Sequence, residues 1–280
     1  MSYKGFFPGM ICLGKQYAEH ELFEEIDILP CEAGLHFCES PFEVLSHYPL
    51  INAEGDLNEY AIVWPKSKPL YIDGKKYCAR ALYVDKRLTY RELIAEAFKF
   101  NTRDAPKKMW DRACISSSTY NTHIASTIPG SRIAISASYG TVFADGKHDH
   151  IVVSGDNCSV LSTGDYTTIA SSGDCTQIVT DGYGVKVALS GKYGRIHTLS
   201  VDTNISINGD GAMITVNGAD TVVNITGKGA VFRGMLGTVF IIYDGKVNIL
   251  TVDGDVIKAN KYYTFDGGNV VEWERIRNEE

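Results

Sequence analysis

Glycine recurs every nine residues along the second half of the chain, and this spacing constrains the fold more than any other feature. Ser200 fills the single place in the series where a glycine is missing. The glycines are Gly146, Gly155, Gly164, Gly173, Gly182, Gly191, Gly209, Gly218 and Gly227. Five places after each position stands an apolar residue, in order Ile151, Val160, Ile169, Ile178, Val187, Ile196, Ile205, Ile214, Val223 and Phe232. The register predicts a repeat that sends one apolar side chain per unit into a shared core.

Each nine-residue unit reads as a turn followed by a short strand. We expect the glycine to supply the turn through a positive φ. Side chains alternate along a strand, so positions three, five and seven after the glycine should face the core. Position three is small, as in Cys158 and Thr167, and position seven changes from Ser162 to Ile207 along the chain. One unit cannot bury its apolar face alone, so the units should stack into a parallel β-solenoid, that is, a β-helix or β-roll.

The number of units in each coil of the solenoid is open from the sequence. Two units would give eighteen residues per coil and two facing parallel sheets, and three would give a triangular prism. We favour two. After Gly227 the phase slips, with glycines at 237, 245 and 254. This change predicts a cap, and the aromatic residues 262–265 are placed to close the open end of the core.

Outward-facing apolar residues predict that the solenoid associates with itself. Leu161, Val179, Met213 and Val222 should lie outside the core, where a monomer would leave them in water. Exposed strand edges add to this tendency. We therefore expect a homo-oligomer. The positions four after each glycine carry no aromatic series, so carbohydrate binding is not favoured.

The first half of the chain mixes strands with one helix. Residues 59–64 and 77–84 have the β-branched and aromatic content of strands. Thr89 and Glu92 form a capping box, and apolar residues at helical spacing follow as far as about Asn101 or Thr102.

The predicted fold class is therefore mainly β with a smaller α+β part. We place an α+β N-terminal domain at residues 1–88 and a helix and linker at 89–130. The β-solenoid of nonapeptide repeats follows at 131–258, and a C-terminal cap or tail at 259–280.

The charge and cysteine content narrow the function classes. The net charge is −7, whereas a nucleic acid or an anionic membrane surface requires a concentrated basic face. No signal peptide and no long apolar run is visible. The seven cysteines are odd in number and none is spaced as CxxC, so we expect reduced thiols in a cytoplasm. Neither a nucleic acid nor a membrane is a predicted partner.

Two acidic patterns invite a metal site, and the sequence favours neither. Calcium-binding β-rolls repeat G-G-x-G-x-D, but here Asp156, Asp165 and Asp174 directly follow single glycines. Such aspartates are expected to bond backbone amides at turns. The cluster of Asp145, His148, Asp149 and His150 reads as a polar loop at the start of the solenoid. We predict no metal and no cofactor.

The N-terminal region carries a dense set of motifs. It opens with Lys4-Gly5-Phe6, continues through Cys12, Gly14, Gln16 and Tyr17, and reaches residues 31–48, CEAGLHFCESPFEVLSHY. The set resembles a family of phage and prophage proteins of unassigned function. That family is marked by K-G-F, C-x-G-x-Q-Y and C-E-x-G-[FL]-H-[AF]-C-E-x-P, with G-D-x-S/T repeats further on. The resemblance implies a viral or prophage origin, in the host cytoplasm or the virion, and no activity.

Residues 34–39, GLHFCE, with Tyr48, also resemble a segment of the poly(ADP-ribose) polymerase fold. The resemblance implies that His36 and Tyr48 would sandwich a nicotinamide. The tyrosine spacing is one residue longer than in that fold, and no H-G-[ST] element precedes it. The alternative is structural: a helix starting near Pro41, with Val44, Leu45 and Tyr48 facing inward and His36 hydrogen-bonded in the core.

The sequence thus favours a non-enzymatic phage-type protein whose solenoid assembles or binds, and it contains no recognised catalytic motif. One alternative is a counter-defence protein that sequesters a host nucleotide signal or blocks an immune enzyme. The other is an NAD-binding, ADP-ribosyltransferase-like N-terminal domain. No catalytic residue is assigned. Any ligand site is predicted at His36, Phe37, Glu39 and Tyr48.

Overall fold

A computed structural model describes residues 1–26, 34–73, 76–102 and 114–274. The contacts divide these residues into two compact units, 1–102 with 123–127 and 114–122 with 128–274. Among the described helices, none combines the length and the apolar character needed to cross a bilayer.

The N-terminal unit is built on a seven-stranded antiparallel sheet. Its strands, in spatial order, are β4 (Glu21–Glu24), β9 (Ala81–Leu88), β6 (Glu59–Pro65), β1 (Ser2–Phe6), β5 (Leu35–Cys38), β8 (Lys76–Ala79) and β7 (Leu70–Asp73). A two-stranded hairpin of β2 (Ile11–Cys12) and β3 (Lys15–Gln16) follows β1 in the chain. Leu13 and Gly14 both have positive φ between these strands, as a tight primed hairpin turn requires.

The predicted helix is confirmed as α1 (Tyr90–Thr102). Its capping box is formed: the amide of Thr89 donates to the Glu92 carboxylate at 2.9 Å, and the amide of Glu92 donates to Thr89 Oγ1 at 3.3 Å. Leu93, Ile94 and Ala97 are buried on its inner face. It is the one α-helix among the described residues of the chain, so the N-terminal unit is β-rich rather than α+β.

Two local predictions in this unit are corrected. Residues 77–84 are not one strand, because the chain bends at Arg80 between β8 and β9. Ser67 Oγ accepts hydrogen bonds from the amides of Arg80 and Ala81, which fixes the bend. The helix expected near Pro41 is a single 3-10 turn at Glu43–Ser46. Val44 and Leu45 are buried there as predicted.

The second half of the chain is a parallel β-solenoid of about seven turns between residues 114 and 242. Its first sheet contains β10 (Cys114–Ser117), β12 (Arg132–Ile135), β14 (His150–Val153), β16 (Thr168–Ser171), β18 (Lys186–Leu189), β20 (Asn204–Ile207), β22 (Val222–Ile225) and β24 (Val239–Tyr243). The second contains β11 (His123–Ser126), β13 (Thr141–Ala144), β15 (Ser159–Ser162), β17 (Gln177–Thr180), β19 (Arg195–Thr198), β21 (Met213–Val216) and β23 (Val231–Gly234).

Two repeats form each coil. Ile151 pairs with Ile169 in one sheet and Val160 with Ile178 in the other, eighteen residues apart in both cases. The arrangement of two facing sheets is therefore confirmed. The ten position-five residues are all buried, as are the small position-three residues such as Cys158 and Thr167. The predicted core register is correct.

The reason for the repeated glycine differs from the prediction. None of the nine glycines of the series has positive φ. A Cβ added to Gly164 would lie 1.9 Å from the carbonyl oxygen of Gly146, and one on Gly173 would lie 1.9 Å from that of Gly155. Glycine is needed because successive coils approach each other backbone to backbone.

Positive φ falls two residues later in each unit. Glycine takes this place at Gly184, Gly211 and Gly229, but elsewhere it is held by residues with side chains, such as Tyr139, His148, Asn157, Tyr166 and Tyr193. Two of these rings stack on each other. The rings of His148 and Tyr166 lie 5.1 Å apart and 9° from parallel.

Hydrogen bonds connect the turns within and between coils. Thr167 Oγ1 donates to the carbonyl of Gly164 at 2.9 Å, which explains the small hydroxyl residue at position three. Asp156 Oδ1 accepts the amide of Asp174 at 2.8 Å, and Asp174 Oδ1 accepts that of Lys192 at 2.7 Å. The turn aspartates therefore bond backbone amides one coil further on.

The outward positions of the second sheet differ from the prediction. Leu161 and Val179 are fully buried, with 0% exposure. They belong to a row that begins at Phe143 and continues through His197 and Thr215, and every one of these five side chains is buried. Strand alternation points the row away from the core, yet its side chains are not exposed. Leu161 and Val179 do not support self-association.

The solenoid ends in antiparallel strands. β24 pairs with β22 at an offset of seventeen residues (Val222 with Val239), which is the predicted phase slip. β25 (Val247–Thr251) then runs antiparallel to β24, and β26 (Tyr263–Asp266) and β27 (Asn269–Glu272) extend the second sheet in the same way. Tyr263 is buried and pairs with Phe232.

Candidate functional site

A cavity of about 440 Å³ lies in the N-terminal unit. Its volume is within the range of about 300–1,000 Å³ that is usual for small-molecule sites. Strands β1, β2 and β5 and the 3-10 turn supply most of the wall. The lining residues are Tyr3, Lys4, Gly5, Phe7, Cys12, Leu13, His36, Phe37, Cys38, Val44, Ser46, His47, Tyr48 and Lys76.

The K-G-F motif forms one wall of the cavity. All five residues of β1 are buried. Phe6 enters the core and packs on Tyr17, with ring centroids 5.2 Å apart. Gly5 leaves room for Tyr48: a Cβ at Gly5 would lie 2.5 Å from the Cβ of Tyr48. The glycine is required here by a close approach that brings Tyr48 against the strand.

Lys4, Cys12 and Tyr48 are connected by hydrogen bonds. Lys4 is 3% exposed, and its Nζ donates to the His36 carbonyl at 2.9 Å and to Cys12 Sγ at 3.3 Å. The Tyr48 hydroxyl donates to the same sulfur at 3.0 Å. The Lys4 ammonium also lies 5.1 Å from the ring centroid of Tyr17. Burial lowers the pKa of Lys4, and the neighbouring Cys12 acts in the opposite direction.

His36 is the polar group of the cavity that is least satisfied. Its Nε2 is buried and has no hydrogen-bond partner among the described residues. Burial, and then the positive charges of Lys76, Lys4 and His47, lower the pKa of His36 to about 4. The imidazole is therefore neutral near pH 7. The pKa of His47 is also lowered, by burial first and then by Lys76, whereas Glu43 raises it.

Cys38 also lines the cavity, and its thiol stays protonated near pH 7. Burial, and then the charge of Glu43, raise the pKa of Cys38 to about 11.

The structure brings together three of the four predicted site residues. His36, Phe37 and Tyr48 all line the cavity. Glu39 does not; it is exposed and bonds the hydroxyl of Tyr77. Burial raises the pKa of Tyr77 first, and Glu39 raises it further.

Sequence reasoning missed Lys4, Cys12 and Lys76 as parts of the site. The first two belong to the K-G-F and C-x-G-x-Q-Y motifs. Membership of these motifs could therefore have indicated them as site residues. Lys76 carries no motif and reaches the cavity because β8 pairs with β5, opposite Cys38. Cys31, the first residue of the longest motif, lies outside the described residues.

The acidic cluster at the start of the solenoid does not converge on one point. The Asp149 carboxylate is buried and accepts the amides of Ser131 at 2.8 Å and Gly146 at 3.1 Å. Asp145 accepts a hydrogen bond from Thr163, and His148 stacks on Tyr166. Across the described ranges, no group of three or more His, Cys, Asp or Glu side chains is arranged to hold a metal ion.

Comparison with known proteins gives a match in the N-terminal part of the chain. No curated protein and no solved structure matches it. The cavity, with β1, β5 and the 3-10 turn, falls within the matched region, which also covers the resemblance motifs. Residues 1–96 match the family described as a domain of unknown function (DUF7666).

Proposed function

We propose that the protein is a non-enzymatic binding protein, whose N-terminal domain holds a small molecule and whose solenoid is a rigid carrier and assembly module. The observation that carries the proposal is the cavity. It has a polar lining that includes the buried Lys4, the half-buried Lys76 and the ring of His36.

The electrostatics support binding over catalysis. A general base or acid works best with a pKa near the working pH, and His36, with a pKa of about 4, is far from it. Lys4 and Cys12 are hydrogen-bonded to each other.

The resemblance to phage and prophage proteins supports a specific form of this role. We propose a viral or prophage protein, acting in the host cytoplasm or carried in the virion, that sequesters a host nucleotide signal. A nicotinamide held between His36 and Tyr48 is the alternative, favoured by the position of both side chains on one cavity. Calorimetric titration with NAD⁺ tests it; a lack of heat at millimolar NAD⁺ would exclude this alternative.

The proposed function is tested by capturing the ligand. Full-length protein is incubated with the small-molecule fraction of a host lysate, desalted and examined by native mass spectrometry. We expect a bound species of defined mass. The matched control is Ser46→Trp, because Ser46 lines the cavity but is exposed, so an indole there fills the space without disturbing the core. Equal retention by the two proteins would refute binding in the cavity.

Self-assembly is the second proposed role, and it now rests on the C-terminal end of the solenoid. Leu236, Val247, Ile249 and Val256 are apolar and 61–78% exposed there. Val247 and Ile249 lie on β25, which follows β24 in the strand order and is the last strand of its sheet. A strand edge with exposed apolar residues can pair with the same strand of a second copy.

A further inference from the structure

We infer that the ligand of the N-terminal cavity is a small planar anion, bearing a carboxylate or phosphate group at Lys76 and a flat ring packed against Tyr48 and Phe7. The inference rests on the proposed function and specifies its ligand class. The charge of the lining, the electrostatic response of His36 and the aromatic residues each support one part of it.

The charge of the lining has one sign. Four lining residues are basic, namely Lys4, Lys76, His36 and His47, and among the described residues that line the cavity none is acidic. The positive charges act inside the cavity, since Lys76 and Lys4 both depress the pKa of His36. Two carboxylates act on lining residues without lining the cavity themselves: Glu96 accepts a hydrogen bond from the Tyr3 hydroxyl at 3.1 Å, and Glu43 opposes Lys76 at His47. A wall with unbalanced positive charge favours an anion over a neutral or cationic ligand.

Lys4 and Lys76 play different parts in this wall. Lys4 is buried and already donates to Cys12 and to the His36 carbonyl. Lys76 is half-buried at the start of β8. Lys76 is therefore the cation available to pair directly with a ligand, and Lys4 adds a fixed positive charge behind it.

His36 responds to a bound anion through charge and not through contact. Its Nε2 is buried without a partner in the described part of the chain, so a ligand in the cavity does not reach that atom. The pKa of the ring is lowered by both lysines. An anion paired with Lys76 would offset that influence and stabilise the protonated imidazole, because an opposite charge nearby raises the pKa of a histidine.

Aromatic rings supply the surface for a flat group. Phe7 and Tyr48 lie with ring centroids 5.3 Å apart, edge to face. Phe7 is 46% exposed, so it stands towards solvent, while Tyr48 is half-buried and fixed by its bond to Cys12. The two rings contact each other, so a planar ligand would pack on their exposed faces and not between them.

The inference is tested with probes that share a ring and differ in charge. Calorimetric titration of the full chain compares AMP with adenosine, and benzoate with benzamide. We expect the anionic member of at least one pair to bind about tenfold more tightly or better, as a charge-assisted hydrogen bond implies. Preference within the AMP pair alone indicates a phosphate ligand, and preference within the benzoate pair alone indicates a carboxylate. Equal binding within both pairs would overturn the inference.

Two lysine variants separate a specific contact from general charge. Lys76→Gln should weaken anion binding about tenfold and leave the neutral probes unchanged. Lys68→Gln makes the same charge change at an exposed site that does not line the cavity, and it should have no effect. An equal loss in the two variants would show that only the net charge matters and would overturn the inferred site.

The pH dependence tests the part assigned to His36. Benzoate affinity should rise as the pH falls from 8 to 5.5, because the bound anion raises the pKa of His36 and binding takes up a proton. His36→Gln should flatten this profile; if it leaves the slope unchanged, the assignment to His36 is wrong. If none of the four probes binds, the inference fails. The proposed function would then be tested separately, by whether Ser46→Trp prevents retention of the ligand from the host lysate.

Discussion

At the scale of single residues, the solenoid contains glycines of two kinds. One kind, such as Gly173, has an ordinary φ but lies where a side chain would enter the backbone of the preceding coil. The other kind, such as Gly229, has positive φ and open space around it. The two kinds should respond differently to the addition of one methyl group.

We expect Gly173→Ala to destabilise the solenoid by about 3 kcal/mol or more, since backbone atoms must move to accept the Cβ. Gly229→Ala should cost only about 1 kcal/mol, the usual strain of an L-residue at positive φ. Urea unfolding followed by circular dichroism measures both. If the two substitutions cost the same, the close approach of successive coils is not what selects glycine.

The positions of these glycines could be predicted from the sequence, but the reason for them could not. The clash at Gly173 involves Gly155, eighteen residues earlier, and appears only once two units are known to make one coil. The positive φ of Tyr139, Tyr166 and Tyr193 was not predictable either, because tyrosine has no local preference for it. Stacking between neighbouring turns, as at His148 and Tyr166, offsets part of that cost.

At the scale of secondary structure elements, the burial of the position-five residues is the best-supported prediction. Ile178 is fully buried and Gln177 is half-buried beside it on β17. Ile178→Asp should unfold or aggregate the solenoid, because it buries an unpaired carboxylate. Gln177→Asp should be tolerated. Melting temperature and solubility of the purified variants measure the difference, and similar damage from the two would contradict the register.

A buried carboxyl group directly before strand β14 makes the solenoid sensitive to pH. Asp149 occupies position three and is fully buried; three of the next four coils carry threonine at this place, namely Thr167, Thr203 and Thr221. Burial raises the pKa of Asp149 to about 7, although amide hydrogen bonds from Ser131 and Gly146 act in the opposite direction. In an unfolded chain the carboxyl titrates near 4.

The solenoid should therefore lose stability as the pH rises from about 4 through 7. Between these values the folded state binds more protons at Asp149 than the unfolded state does. Asp149→Thr should remove this part of the pH dependence and raise the free energy of unfolding at pH 8 by a few kcal/mol. Urea titrations of the wild type and the variant at pH 5 and pH 8 make the comparison. A free energy of unfolding that rises from pH 5 to pH 8 in the wild type relative to the variant would contradict the prediction.

Elements defined by periodic apolar residues were predicted more accurately than elements defined by tertiary contacts. Helix α1 and strand β6 follow local signals and appear where the sequence placed them. The bend at Arg80 depends on Ser67, thirteen residues earlier, so the local pattern could not show it. The 3-10 turn at Glu43–Ser46 is likewise shorter than the apolar spacing suggested.

At the scale of the whole molecule, the proposed homo-oligomer is the main prediction. The exposed apolar residues of the C-terminal end, and not Leu161 or Val179, should form the contact. Light scattering should give a mass that is a multiple of 30.8 kDa at micromolar concentration. A monomer mass for the wild type would refute the proposal.

A pair of lysine substitutions locates the contact. Ile249→Lys places a charge on β25, the usual means by which proteins prevent edge pairing, and it should yield the monomer. Val152→Lys changes an apolar residue that is 52% exposed on β14, in the interior of the first sheet, and it should leave the mass unchanged. Dissociation by Val152→Lys alone would move the contact to the sheet face.

The candidate site was predicted only in part. His36, Phe37 and Tyr48 were chosen for the density of reactive side chains around one glycine, and they share the cavity. Glu39 was included on the same ground, but it lies one residue beyond the end of β5, is exposed and bonds Tyr77. Lys4 joins the site because β1 lies beside β5 in the sheet, and Cys12 joins it from the β2–β3 hairpin; no local pattern specifies either placement.

The buried outer row of the second sheet limits how such a solenoid can change in length during evolution. Successive nonapeptides alternate between the sheets, and the first sheet carries the exposed Val152 where the second carries the buried Leu161. Deleting one nonapeptide would exchange the two sheets for every later strand and move Val179 to the exposed side. Insertions and deletions that preserve the fold must therefore come in steps of a whole coil. Natural relatives with this solenoid should differ in length by multiples of eighteen residues.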